Sequence, residues 1–327
     1  MRPFEFASPK TQKEVPTLLG HGWGEVEVLA GGTDLLSLMK DEITAPKRLV
    51  NIKKIPDLHF IESVNGKTRI GALVTLAEIA ASPNVQHEYP ALAAAAGDAA
   101  SPQIRNLATL GGNLCQRPRC WYFRTGHGLL ARDAEGKSLV LAGDNRYHAI
   151  LGNDGPAYFV SPSTVAPVLV AYQATATILG PKGTRTVPLE KFFVAPKNDQ
   201  EREHDLRPDE LVTEIGLPAN PPAKVASYEV RQKEAFDWPY ATATAALVIK
   251  SGIVESARIV LGHVAPMPWV SPEAASEMFG KTVTPEHAER AAQAALARAK
   301  SLGHNEQKIH LARVAVKRAI LKAGGVA

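Results

Sequence analysis

Cysteine is nearly missing from this sequence: Cys115 and Cys120 are the two thiols in 327 residues. That scarcity excludes a disulfide-stapled secreted scaffold and points to a reducing compartment, so the expected location is the cytoplasm. An excess of one charge is also lacking. Lysine plus arginine number 37 against 33 for aspartate plus glutamate, a net +4 too small for a dedicated nucleic-acid binder. Long hydrophobic runs are absent too. The uncharged stretch 155–181 is broken by Pro156, Pro162, Pro167 and Pro181 and reads as loop, short helix and strand rather than as a membrane span. The first residues, Met1-Arg2-Pro3-Phe4-Glu5-Phe6, lack the apolar core of a signal peptide. A soluble chain is expected, exported only if a partner carries the signal for both.

What is present is ordinary globular material. Apolar residues at 45% supply cores, and the length predicts two or three packed units. The first half alternates strand and helix signals. Residues 26–29 form a short β-type run ending in Ala30-Gly31-Gly32-Thr33-Asp34, after which Leu35, Leu36, Leu38 and Met39 return at helical spacing. A second strand covers 48–52. Residues 58–61 and 68–72 predict a hairpin turning at Asn65-Gly66, and Thr75 with Glu78 has capping-box spacing. An alanine-rich helix is predicted over 91–100. An irregular stretch then runs to about 155, long enough to be functional or disordered.

Further on, 162–172 predicts a helix, 174–187 a hairpin and 211–217 a strand, with the charged residues 199–210 crossing between domains. The C-terminal third reads as three β-rich segments, 225–230, 241–250 and 256–262, then two helices. One starts at Thr284-Pro285-Glu286 and the other ends at Gly324-Gly325. The expected fold class is α+β. Its first domain is 1–218, divided near residue 56, and its second is 224–327, with a Pro/Ala-rich junction at 218–223.

Two glycine pairs carry the chemistry. Gly31-Gly32-Thr33 follows a strand and opens a helix, and Gly111-Gly112-Asn113 closes a Thr/Leu-rich segment. Glycine pairs at such places let backbone N–H groups converge on a phosphate without Cβ hindrance, and a helix start adds a favourable dipole. Neither has the spacing of a Rossmann or P-loop fingerprint, and either alone reads equally well as a tight turn.

Together the pairs resemble a family. The run Leu29-Ala30-Gly31-Gly32-Thr33-Asp34-Leu35-Leu36 with Met39-Lys40 is similar to the first flavin-binding segment of molybdenum-hydroxylase FAD subunits. The run from Ser101-Pro102-Gln103-Ile104-Arg105 to Thr109-Leu110-Gly111-Gly112-Asn113-Leu114 is similar to the second. These are the medium subunits of the xanthine dehydrogenase and carbon monoxide dehydrogenase family. Ile70-Gly71-Ala72, Pro208-Asp209-Glu210-Leu211 and the helical C-terminal region stand in the family's order.

The resemblance implies a PCMH-type FAD-binding domain and a CO dehydrogenase flavoprotein-like C-terminal domain. It implies FAD held by Leu29, Ala30, Gly31, Gly32, Thr33, Asp34, Leu35, Ser101, Ile104, Thr109, Gly112 and Asn113. Ser161-Pro162-Ser163-Thr164 resembles a family segment near the flavin that begins with histidine. Ser161 stands in that histidine's place, and Ser163 and Thr164 remain able to bond the cofactor. Lys233, with Asp237-Trp238-Pro239-Tyr240, matches a stretch whose cation sits near the pyrimidine edge of the flavin; a surface charge beside a core tryptophan is an equally good reading.

Residues 115–124, Cys-Gln-Arg-Pro-Arg-Cys-Trp-Tyr-Phe-Arg, resemble the branch of aldehyde oxidoreductases and hydroxybenzoyl-CoA reductase, whose flavin subunit has an inserted loop with a [4Fe–4S] cluster. A cubane takes four thiolates, and relatives' further ligand positions read here as Leu129, Leu139 and Ala157. The loop (about 115–155) is kept and no metal site is expected. Cys120 is then a remnant ligand position and Cys115 a small core residue, with His148 open between ligand and structural roles.

The implied function is electron transfer. A molybdenum-cofactor large subunit would oxidise the substrate, and a small subunit with [2Fe–2S] centres would deliver electrons to this FAD for a terminal acceptor. No catalytic residue beyond the flavin is expected in this chain. A stand-alone oxidase of the vanillyl-alcohol-oxidase type and a non-catalytic assembly subunit are the alternatives. His263, Glu273 and His287 form no acid–base set for the first, and the two intact glycine pairs count against the second.

Overall fold

The computed structural model describes the chain except for residues 220, 222, 223, 234, 235 and 327. The expected junction at 218–223 therefore lies partly outside the described residues. Among the described residues, three sheets follow one another along the chain. The first is small and parallel, formed by β1 (Glu5–Ala7), β2 (Val26–Leu29) and β3 (Arg48–Asn51) in the order β1-β3-β2. Parallel neighbours need a crossover, and the helix Leu35–Lys40 lies within the connection from β2 to β3. Val26 and Val28 pack against a core of Val15, Leu19, Val50 and Ile52, so strand alternation sends Glu27 to the other face.

The second sheet is antiparallel: β4 (Ile61–Val64), β5 (Lys67–Gly71), β6 (Thr175–Gly180), β7 (Gly183–Pro188) and β8 (Leu211–Leu217) in the order β4-β5-β8-β6-β7. Ile70, Ile178, Val212 and Ile215 share one core with the helices Leu76–Ala81, Pro90–Asp98 and Ala166–Ala171. Thr75 and Glu78 complete the capping box. The helix predicted over 162–172 forms only at Ala166–Ala171, and Ser163 Oγ just ahead of it accepts the Ala166 N–H at 3.1 Å.

The third sheet holds β9 (Lys224–Val230), β10 (Ala241–Lys250), β11 (Ile253–Gly262) and β12 (Trp269–Val270) in the order β12-β11-β10-β9. Among the described residues, the three-stranded, two-helix expectation is thereby corrected to four strands and three helices, Pro272–Met278, Pro285–Ala295 and Glu306–Gly324. A two-residue strand has no periodicity to read, and its pairing with Val260 and Leu261 is a tertiary event. Alanines 288, 291, 292, 312, 315 and 319 are fully buried where the helices meet the sheet. Thr284 Oγ1 caps its helix by accepting the His287 N–H at 3.2 Å.

The irregular stretch after residue 114 is ordered by non-local bonds. It contains two single-turn helices, Trp121–Arg124 and Leu139–Ala142. Side-chain amides stitch it to the C-terminal region: Asn145 Nδ2 donates to Leu302 O at 2.8 Å, and Asn153 Nδ2 to Lys300 O at 2.9 Å. Buried Lys308 donates from Nζ to Tyr147 O at 2.7 Å, and burial pushes its ammonium down to about 7. No described helix is long and apolar enough to cross a membrane.

Candidate functional site

The first glycine segment leaves β2 with its amides unspent. The N–H groups of Gly31, Gly32, Thr33 and Asp34 donate to no acceptor among the described residues. Gly32 has φ +78, a left-handed conformation that glycine adopts without a Cβ penalty. Gly31 is fixed for a different reason: a Cβ there would overlap the Leu107 carbonyl oxygen, so the two glycine-bearing segments touch backbone to backbone. Ala30 to Leu35 line a cavity of about 340 Å³, within the usual range of cofactor sites. Thr109, Gly111 and Gly112 line it from the second segment.

That second segment is built differently. It is a single-turn helix, Leu110–Leu114, capped by Thr109, whose Oγ1 accepts the Gly112 N–H at 3.1 Å. The amides of Leu110, Gly111 and Asn113 bond to Val74 O, Ala72 O and Thr109 O. Asn113 Oδ1 accepts the Ser163 hydroxyl at 2.6 Å, which joins two predicted site residues to each other.

The remaining predicted residues scatter. Leu29 is buried with Met39 and Leu49 and does not line the cavity. Ser101 caps the short helix Pro102–Arg105, and Ile104 on it is exposed. Thr164 makes no side-chain hydrogen bond with the described residues. Lys233 is exposed and lines a separate groove with Asp98 and Lys322.

Several cavity residues escaped the sequence reading. The charged stretch expected to cross between domains supplies Arg202, Glu203 and His204 beside the cavity. Arg202 Nη2 donates to Glu27 Oε1 at 3.2 Å and its guanidinium lies 4.8 Å over the Trp23 ring. Arg117 Nε donates to Glu203 Oε1 at 2.8 Å. Burial pushes the Glu27 carboxyl up to about 7, opposed by the Arg117 charge and reinforced by Glu203. Burial likewise holds His204 down to about 4, so its imidazole is neutral where it stacks on Phe192. A signal for Glu27 was available, since a lone carboxylate alternates with Val26 and Val28 on a strand. The rest needed the tertiary structure.

Asp34 occupies the N-cap of the helix Leu35–Lys40 without capping it. Its carboxylate accepts the Arg117 backbone N–H at 2.8 Å, Arg119 Nη1 at 2.6 Å and Arg124 Nη2 at 2.8 Å.

Residues 2–220 match the family described as the FAD binding domain in molybdopterin dehydrogenase, and residues 226–323 match the CO dehydrogenase flavoprotein C-terminal domain. The chain belongs to the FAD-binding subunits of the xanthine dehydrogenase and CO dehydrogenase family. It is 32% identical over 296 residues to the carbon monoxide dehydrogenase medium chain of Hydrogenophaga pseudoflava, covering 90% of this chain and 86% of that one. It is 34% identical over 244 residues to the aldehyde oxidoreductase FAD-binding subunit PaoB of Escherichia coli K12, covering 74% and 75%. The structure of carbon monoxide dehydrogenase from Hydrogenophaga pseudoflava lacking the Mo-pyranopterin moiety superposes over 100% of both chains with a TM-score of 0.78 at 30% identity.

Within this FAD-subunit fold the irregular stretch after residue 114 holds the Cys120 thiol in a neutral pair. Cys120 Sγ lies 3.1 Å from His148 Nε2, and both residues are buried. Burial raises the thiol above its ordinary value and, with nearby Lys308, lowers His148 to about 4. Both groups are therefore uncharged where they meet. Cys115 is also raised by burial, to about 12. Among the described residues no three His, Cys, Asp or Glu side chains are placed to share a metal ion.

Proposed function

We propose that the chain is the flavin electron-transfer subunit of a heteromeric molybdenum-containing oxidoreductase. A large subunit with the molybdenum cofactor would oxidise the substrate, and a small subunit with [2Fe–2S] centres would pass electrons on to the FAD. The observation that carries this reading is the row of four unspent amides, Gly31 to Asp34, lining a cavity of about 340 Å³. These four residues are half-buried, and a diphosphate in the cavity would satisfy several of their N–H groups at once. Cations stand close by: Lys53 Nζ donates to Ala30 O at 3.3 Å, and Arg117 and Arg202 line the cavity together with the carboxylates of Glu27, Asp34 and Glu210.

FAD, when bound, supplies the capacity to accept and release electrons. This chain's residues bind and orient. The first segment offers N–H donors, Thr109 and Gly112 close the opposite wall, and the Asn113–Ser163 pair steadies the second segment. The relatives named above are medium chains or FAD-binding subunits, in keeping with a chain that works inside an assembly. Two cysteines in the whole chain favour the cytoplasm, with export alongside a signal-bearing partner as the other route.

The test is an absorption spectrum of the purified chain, followed by release and identification of its chromophore. About one FAD per chain without iron–sulfur absorbance is expected. No flavin after incubation with FAD overturns the reading, and about four irons per chain overturns the expectation of an empty inserted loop.

A further inference from the structure

The inserted loop folds back over the first glycine segment, and it does so through one carboxylate. Asp34 accepts three donors from residues 83 to 90 positions further along the chain: the Arg117 amide, Arg119 Nη1 and Arg124 Nη2. The arginines are themselves locked. Arg124 Nε donates to Pro118 O at 2.9 Å and its Nη2 to Arg117 O at 3.1 Å. Arg119 Nη2 donates to Gln116 Oε1 at 2.8 Å, and its guanidinium lies 4.8 Å over the Trp238 ring. Arg117 Nε is held by Glu203. The Asp34 side chain is 15% exposed, so these charge-assisted bonds are only partly screened.

Asp34 is also the last of the four residues with unspent amides. Fixing its carboxylate fixes the backbone at the end of that row. Arg119 and Arg124 do not line the cavity, so they act on it through Asp34.

We propose that the inserted loop is a positioning clamp: Arg117, Arg119 and Arg124 close on Asp34 and hold the amides of Gly31–Asp34 in the arrangement that receives the cofactor's diphosphate. Asp34 and the three arginines are positioning residues. The clamp gives the loop a role that needs no metal. It rests on the FAD reading above.

The experiment loads the full-length chain with FAD and measures its dissociation rate by the flavin fluorescence regained on release, together with the ³¹P resonances of the bound diphosphate. Asp34→Asn keeps the shape and removes the charge. It is expected to release FAD at least about tenfold faster, a loss of about 1.4 kcal/mol, and to displace the ³¹P resonances. Arg119→Gln and Arg124→Lys are expected to show the same displacement to a smaller degree, and they carry the test if Asp34→Asn fails to fold. Arg146→Gln, which breaks an exposed pair with Asp144 elsewhere in the loop, should behave as wild type. Unchanged release and unchanged ³¹P resonances in folded Asp34 and arginine variants overturn the clamp while leaving the FAD reading intact. A wild-type chain that takes up no FAD overturns both.

Discussion

The two glycine segments look interchangeable in sequence and differ in what their backbones do. In Gly31–Asp34 four consecutive amides reach no acceptor among the described residues, whereas in Leu110–Asn113 all four are bonded within the protein. The first is a loop turned by a left-handed Gly32; the second is a capped helical turn laid against Ala72 and Val74. A glycine pair is therefore no measure of phosphate-binding capacity. Free donors are, and only one segment has them. The second contributes a wall, a cap and the contact that makes Gly31 obligatory.

The sharpest way to break this comparison is Gly31→Ala. A methyl group would overlap the Leu107 carbonyl, backbone against backbone, so the two segments must part. We expect a loss of about 3 kcal/mol in denaturant unfolding, together with loss of FAD uptake. Normal stability and uptake would mean that the segments do not need to touch.

The strand feeding the first segment also brings an ionisable group to the cavity, which the second does not. The folded Glu27 carboxyl titrates at about 7, above its ordinary 4.5, so the folded chain holds this proton more tightly than the unfolded one. That contribution is present in full below pH 4.5 and is lost as pH rises to about 7. Wild type should lose on the order of 2 to 3 kcal/mol across that window relative to Glu27→Gln. Urea unfolding of both proteins at pH 4.5 and pH 8 checks it, and parallel profiles would contradict it.

The smallest effect tests the second segment. Thr109→Ala removes a cap and should cost about 1 kcal/mol of stability, with FAD release changed far less than by Asp34→Asn. If FAD release in Thr109→Ala instead matches Asp34→Asn, the hydroxyl serves the cofactor and the contrast between the segments fails.

Much of the scaffold was legible because its signals are local. The strand 211–217, the capping box at Thr75 and Glu78, and the helix start at Thr284 each depend on residues within a few positions. The site was half legible. Ala30 to Leu35, Thr109 and Gly112 do meet at one cavity, but Ser101 and Ile104 sit on a neighbouring short helix and Lys233 on another groove. Glu203, His204, Arg117, Arg119 and Arg124 were passed over because their partners lie far away in sequence. Arg117 finds Glu203 across 86 positions, and Arg124 finds Asp34 across 90.

By itself, then, the sequence determined the longer elements, the two glycine segments and the family resemblance, all of which are written in short spacings and backbone permissions. The tertiary structure decided which amides stay free, which carboxylate Arg119 and Arg124 grip and which charges face the cavity. Hydrogen-bond satisfaction and desolvation depend on what the folded chain places within a few ångströms, and no spacing along the chain encodes that.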